Sequence, residues 1–500
     1  MADIDRARNR DARRRTIGLA GGLAAFLVML ALPAPEGMAP AAWRTAAVAV
    51  LMATWWITEA IPVYATGLLP LAVLPLLGIG DMRSAAAPYA NPVIFLFLGG
   101  FLIALCIQRW NLHQRIALTL LSVTGTGARQ LVGGFMVATA FLSMWVSNTA
   151  TAMMMLPIAL SVIALLEKDD AHHMPVAGLN TALVLAIAYG ANVGGMATLV
   201  GTPPNALLAA YFDQTYGVTI GFAQWMVFGV PLMLVLLVIS WLVLTRVSFK
   251  LPRTSIPGAG ELIAAKKSAL GAIVRGEKIA GGAFLAAAAL WIFLPLINDT
   301  LPDLGLTDAG IAMSVALALF VIPVDLKRGE FAMNWDWAAK VPWGVLLLFG
   351  GGLSLASGAT DSGLADWIGE AMSGLGGAPT WLMLLVVVGV VVYLTEVTSN
   401  TATTATLLPI LSGLALGLGE NPLLLCVPAA LAASCAFMLP PATPPNAVVF
   451  GSGHVTIPQM ARAGMWLNVA CIAVLTLVAY AGVMSVLEIV PGVVPDWAAP

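Results

Sequence analysis

The sequence predicts an all-α polytopic membrane protein, with about eleven transmembrane helices plus two re-entrant hairpins arranged as two inverted-topology repeats. Three observations carry this. The 500-residue chain is 60% hydrophobic and 10% charged, with a mean hydropathy of +0.93, whereas soluble domains carry about 25% charged residues. The pentapeptide Ser-Asn-Thr-Ala-Thr occurs twice, at 147–151 and 399–403, 252 residues apart, and self-similarity at a fixed distance marks a duplicated fold. Lysine and arginine also fall almost wholly on one side of the layout that the apolar segments define.

Residues 1–16 form a basic tail holding Arg6, Arg8, Arg10, Arg13, Arg14 and Arg15. No small-residue cleavage site follows, which predicts a cytoplasmic tail and not a signal peptide. The first half, 17–246, holds apolar spans at 17–34, 42–60, 63–80, 92–108, 180–200 continued by 206–212, and 224–246. Residues 247–278 are rich in Lys, Pro and Gly and read as a cytoplasmic linker with room for a surface helix. The second half, 279–500, holds spans at 279–298, 308–323, 341–358, 422–440 and 464–488. Each reaches roughly the 20 residues a membrane crossing needs. Two further regions, 131–165 and 379–418, are too long for one span and carry Ser-Asn-Thr near the middle. Polarity at the midpoint suits a hairpin that enters and returns, since non-helical backbone at that depth needs a protein or water-lined surrounding. With a cytoplasmic N-terminus and an external C-terminus, 21 of 23 basic residues fall inside, and only Arg44 and Arg83 fall outside.

The repeat reaches beyond the pentapeptide. The 98–104 segment matches 350–356, and Leu156-Pro157-Ile158 matches Leu408-Pro409-Ile410, at the same offset of 252. Thr202-Pro203-Pro204-Asn205 matches Thr443-Pro444-Pro445-Asn446 at an offset of 241. Two successive prolines break a helix and restart it, because proline lacks an N–H and is tolerated only at the first helical turn. Helices broken at 201–206 and 442–447 follow, with Thr202 and Thr443 as caps.

These positions suit ion chemistry. Ser, Asn and Thr favour helix N-caps. A helix beginning at each tip offers free N–H groups to an anion, and the arm before it offers free carbonyls to a hard cation. Ser143 and Thr395 stand four residues before each pentapeptide, close enough to add an oxygen. No Lys or Arg lies in a span near the motifs, so a bound dianion needs co-bound cations.

Blander readings compete. Ser143 and Thr395 could bond their own i−4 carbonyls. Glu396 has no counterpart in the first hairpin, where Met144 stands, and reads as a pairing or capping residue. Glu59 reads as structural at an interface, Trp55 and Trp56 as interfacial anchors. The Gly99-Gly100 and 350–352 glycine runs read as close helix packing. His113, His172, His173 and His454 read as solvated, and Cys106, Cys426, Cys435 and Cys471 as small core residues. The net charge of −2 gives no sign of a nucleic-acid partner. No HExxH motif or buried acid pair suggests an intramembrane enzyme, and polarity gathered at two midplane points disfavours a channel.

The 55–62 segment Trp-Trp-Ile-Thr-Glu-Ala-Ile-Pro, both Ser-Asn-Thr motifs and both Thr-Pro-Pro-Asn breaks resemble the divalent anion/sodium symporter family, the sodium-coupled di- and tricarboxylate and sulfate transporters. The resemblance covers nearly the whole chain after the basic tail. It implies an elevator-type homodimer in the plasma (inner) membrane, with scaffold and transport domains. It implies one sodium site at Ser143, Ser147, Asn148 and the Gly201 backbone, and a second at Thr395, the Thr398 backbone, Asn400 and the Ala442 backbone. Substrate carboxylates would meet Ser147, Asn148, Thr149, Ser399, Asn400 and Thr401, with Thr202, Pro203, Thr443 and Pro444 lining the other side. The expected cargo is a C4-dicarboxylate with at least two sodium ions. Sulfate, a tricarboxylate, or sodium-independent exchange are the alternatives.

Overall fold

The computed structural model describes residues 2–168, 178–372, 379–480 and 484–498. His172 and His173 lie outside the described residues. Among the described residues, seven helices are long and apolar enough to cross a membrane, from Ala12–Ala31 to Ile457–Val478. Large apolar side chains such as Leu234, Leu285, Phe293, Leu296 and Leu477 cover the outer surface of these helices. Such a skin suits hydrocarbon and not water. The molecule is an integral membrane protein.

The same element order occurs twice. In the first half a long helix Pro92–Arg109 leads to a shorter one, Leu112–Val123. The arms Ala128–Ser143 and Asn148–Lys168 follow, then Leu179–Gly195, a break, and Pro203–Tyr216. In the second half the order is Trp343–Asp361, Leu364–Met372, Thr380–Thr395, Asn400–Gly417, Pro422–Ala433, a break, and Pro444–Phe450. Both arm pairs keep the offset of 252 from one half to the other, since 128 pairs with 380 and 148 with 400. The short helices at 112 and 364 keep it too, and they were not anticipated. They are brief and carry polar residues, so no apolar run announces them.

Several expectations are corrected. The span placed at 63–80 is two short helices, Val63–Thr66 and Leu69–Leu76. Gly67 lies between them, its backbone pressed against Gly351, where any Cβ would collide. The last span begins earlier than 464, as the helix Ile457–Val478 with a Thr456 capping box. Trp56 is fully buried and donates to the Val63 carbonyl at 3.1 Å, and Trp55 is buried as well, so neither is an interfacial anchor. His113 is buried with its ring nitrogen 3.1 Å from the Ile107 carbonyl, so it is not solvated. A two-residue-wide ribbon pairs Pro323–Asp325 with Glu330–Phe331 in the otherwise helical chain.

Other expectations hold. Gly99 lies against the Ala312 backbone and Gly350 against the Tyr89 ring, which is close packing. Glu59 caps its helix in a left-handed conformation and pairs with Arg14 and Arg15 at 3.5 and 3.8 Å. All four cysteines are buried. The 247–278 segment carries the helix Ala259–Ala269. It is fastened to the first half by Arg115, bidentate on Glu277 at 2.7 and 3.1 Å, and by Arg129 on the Leu251 carbonyl at 2.7 Å.

The core that positions the site is a crossed arrangement. Each arm pair packs on the first helix of its own half's broken pair, 128–168 on Leu179–Gly195 and 380–417 on Pro422–Ala433. The return arms reach across. Asn148–Lys168 packs on Pro444–Phe450, and Asn400–Gly417 packs on Pro203–Tyr216. Glycines permit the close approach. Gly190 and Gly194 face the Met136 and Ala140 backbone with no room for a Cβ.

Candidate functional site

The helix Ala128–Ser143 ends at Ser143, four residues turn, and a new helix starts at Asn148. The turn carries the Ser143 hydroxyl to Asn148, at i+5, and not to Ser147 at i+4. These two side chains meet at 2.5 Å. An amide oxygen in that place would face two other acceptors, the Ala191 and Gly201 carbonyls. With its nitrogen inward, Asn148 reaches Ser143 Oγ at 2.5 Å, Ala191 O at 3.2 Å and Gly201 O at 3.3 Å. Three oxygens therefore converge on one point from the hairpin, the broken helix and the break. Turning the amide makes a fourth. Oxygen donors of this kind, neutral and convergent, are what a hard cation binds.

The second half builds the same device. Thr395 ends its arm, and its Oγ1 lies 2.7 Å from Asn400 Oδ1 and 2.8 Å from the Ala433 carbonyl. Three oxygens share a single hydroxyl proton there. Neither Ser143 nor Thr395 bonds its own i−4 carbonyl, which removes the bland reading for both. Four of the residues assigned to sodium, Ser143, Asn148, Thr395 and Asn400, meet in pairs, and Gly201 joins the first. No hydrogen bond among the described residues brings Ser147, Thr398 or Ala442 into the clusters. Ser147 Oγ lies 3.4 Å from Ala150 N, Thr398 Oγ1 bonds Leu394 O and Thr403 Oγ1 at 2.8 and 2.6 Å, and Ala442 closes a tight turn before Thr443. The Ala191 and Ala433 carbonyls were missed, because a carbonyl carries no side-chain signature.

The residues assigned to the anion sit at the helix starts. Ser147, Asn148, Thr149, Ser399, Asn400, Thr401 and Pro203 are half-buried, and Pro444 is exposed, whereas Thr202 and Thr443 are buried. Both threonines hold extended N-cap backbone, but only Thr443 caps with its side chain, accepting from Asn446 N at 3.3 Å. The Thr202 hydroxyl makes no such bond. Ser399 does not cap its helix with its side chain either.

The profile of the sodium:sulfate symporter transmembrane region matches residues 14–487. A sodium-dependent dicarboxylate transporter, SdcS, of Staphylococcus saprophyticus is 43% identical over 478 residues, covering 95% of this chain and 92% of the relative. The protein of the same name from Staphylococcus aureus strain USA300 is 43% identical over 469 residues, 93% of this chain and 90% of its own. The chain belongs to the sodium:sulfate symporter family. That family consists of transporters, not enzymes. At the level of fold alone, the chain is similar to the YdaH transporter of Alcanivorax borkumensis (TM-score 0.56, 16% identity, 88% of this chain and 98% of that one). It is also similar to MtrF of Neisseria gonorrhoeae (TM-score 0.52, 14% identity, 80% and 84%).

Around the clusters each break is tied by its own asparagine. Asn205 donates to the carbonyls of Gly195, Met196 and Thr198 at 3.3, 3.3 and 2.8 Å. Asn446 does the same for Ala436 and Leu439 at 3.1 and 3.0 Å. Ala436 and Leu439 are the repeat partners of Gly195 and Thr198, offset by 241. The asparagine of each Thr-Pro-Pro-Asn motif is thus a brace for unwound carbonyls.

The ties from tip to break differ between the halves. Thr198 Oγ1 donates to the Met144 carbonyl at 2.5 Å in the first. In the second, the Glu396 carboxylate accepts from the backbone N–H groups of Phe437, Met438 and Leu439 at 2.7 to 3.2 Å, and from Asn468 Nδ2 at 2.7 Å. The break donates and the tip accepts in both halves, but the side chain that makes the tie moves from the break (Thr198) to the tip (Glu396). Glu396 is a capping residue, as its lack of a counterpart suggested.

Proposed function

We propose that this symporter imports C4-dicarboxylates such as succinate, fumarate or malate, coupled to at least two sodium ions. The observation that carries this is the pair of oxygen clusters, Ser143 with Asn148, Ala191 and Gly201, and Thr395 with Asn400 and Ala433. Each stands at the start of a helix whose N–H groups suit an anion. Relatives 43% identical over almost the whole chain are named sodium-dependent dicarboxylate transporters, which favours dicarboxylate over sulfate or tricarboxylate.

The coupling has a direct electrostatic origin. The segments that carry the tips, 131–165 and 379–418, hold no Lys or Arg, so they offer no cation of their own to the substrate. Two sodium ions neutralise a dicarboxylate. Each also ties a hairpin tip to its break, so the anion site is complete only when the ions are in place. Thr149 and Thr401, beside the two asparagines, offer hydroxyls to the carboxylates, with Thr202, Pro203, Thr443 and Pro444 opposite. The repeated element order and the lysine and arginine distribution support inverted halves, a cytoplasmic N-terminus and an external C-terminus. A homodimer moving its hairpin-bearing core as an elevator follows from the family resemblance.

Purified protein in liposomes tests the reading. Succinate uptake requires an inward sodium gradient, and citrate and sulfate compete weakly. Equal uptake with choline in place of sodium overturns sodium coupling, and stronger uptake of sulfate than of succinate overturns the substrate.

A further inference from the structure

Leu179–Gly195 touches the first cluster and the second half's break through adjacent residues. The Ala191 carbonyl faces Asn148, while the next side chain, Asn192, points into the other half of the molecule. Asn192 Nδ2 lies 3.0 Å from the Ala436 carbonyl and 3.2 Å from Thr443 Oγ1. A carbonyl can only accept, so the nitrogen is the end of the amide that faces it.

This fixes the Thr443 hydroxyl. A hydroxyl has one proton to give and two lone pairs to fill. Here both lone pairs face donors, Asn192 Nδ2 at 3.2 Å and the Asn446 backbone N–H at 3.3 Å. Its proton is therefore left to point away from both, and no acceptor takes it among the described residues. Only a group that accepts can complete such a site.

The first half has no equivalent. Residue 433, the repeat partner of Asn192, is alanine, and Thr202 makes no side-chain cap bond. Asn192 also leaves its own amide oxygen buried without a partner. A leucine of similar size would avoid that cost, so what the amide supplies here is its donor.

We infer that Asn192 is a positioning residue for substrate recognition, holding the Thr443 hydroxyl as a preoriented donor to one carboxylate of the transported anion. The inference rests on the dicarboxylate reading above. It makes recognition asymmetric: one carboxylate meets a fixed hydroxyl at Thr443, and the other meets an unfixed one at Thr202. The interaction also crosses between the halves, so the residue that shapes the second half's substrate contact belongs to the first half's broken helix.

Succinate KM, kcat and sodium dependence in liposomes test it with Asn192→Ala, Asn192→Leu, Thr443→Val and the double variant Asn192→Leu/Thr443→Val. Each single variant is expected to raise succinate KM about tenfold, the scale of one hydrogen bond to a charged group. The expected change in kcat is smaller than twofold on the same reasoning, with sodium dependence at saturating succinate unchanged. Because Asn192 acts through Thr443, the double variant is expected to match Thr443→Val alone. A double variant about a hundredfold worse, which is additivity, overturns the inference. So does a wild-type KM in Asn192→Leu beside an impaired Thr443→Val. A wild-type KM in Thr443→Val overturns the placement of the anion itself. Failure of both Asn192 variants to accumulate folded assigns Asn192 to bracing and also overturns it.

Discussion

Thr395→Val keeps the shape of the side chain and removes one oxygen, so it isolates what that oxygen does. In the structure the hydroxyl has one proton for two acceptors, Asn400 Oδ1 at 2.7 Å and Ala433 O at 2.8 Å. Without sodium, the variant loses one neutral hydrogen bond, a net cost of about 0.5–1.5 kcal/mol. With sodium bound, it loses a ligand to a full charge, comparable to hydrogen bonds to charged groups at about 1.5–3 kcal/mol. The difference is about 1–2 kcal/mol of sodium affinity, roughly a five- to thirtyfold loss. Linkage passes this on to the anion. At sodium well below its half-saturating concentration, succinate KM is expected to rise by a similar factor, and at saturating sodium to return to the wild-type value. The assay is succinate uptake by proteoliposomes across a sodium series, with choline holding ionic strength constant. A raised KM that saturating sodium does not restore would place Thr395 in substrate binding. An unchanged KM throughout would refute the cation cluster.

Three further outcomes follow from the same geometry. Glu396→Ala leaves three backbone N–H groups, one buried and two half-buried, and the buried Asn468 amide without their acceptor, at up to about 1–3 kcal/mol each. The variant is expected to fail to accumulate as folded protein by fluorescence-detected size exclusion, and wild-type yield would refute the capping role. Asn205→Ala frees three carbonyls of the first break and is expected to cost about 2–4 kcal/mol, read as a lower melting temperature in detergent with uptake lost. A wild-type melting temperature would refute the brace. His113 lies between spans, and burial holds its imidazole below the ordinary histidine range. A base whose folded pKa is depressed stabilises above its unfolded value, near 6.5, and that stability is lost as pH falls through the folded value. The wild type is therefore expected to lose more melting temperature between pH 7.5 and pH 5 (~2.5 units around the reference value) than His113→Leu, and equal losses would contradict this.

Much of the site was legible before any fold. Offsets of 252 and 241 located both helix pairs around the Ser-Asn-Thr motifs and both breaks, and the i−4 hydroxyls pointed to Ser143 and Thr395. Periodicity failed at 63–80 because proline and a backbone contact at Gly67 override an apolar run. It missed the helices at 112 and 364 because they carry too little apolar sequence to announce themselves. Composition misjudged His113, Trp55 and Trp56, whose burial depends on neighbours distant in the chain.

By itself the sequence determined that this protein lives in a membrane, that its plan is duplicated, and that polar residues gather at two repeated places. Those are properties of composition and period, which a linear string carries whole. Only the tertiary structure decided which carbonyls face Asn148 and Thr395, that Glu396 binds three N–H groups of the second break, and that Asn192 reaches Thr443. Carbonyls and N–H groups are the same in every residue, so their roles are set by direction alone. The contact between Asn192 and Thr443 joins positions 251 apart, and it breaks the symmetry that made the repeat visible.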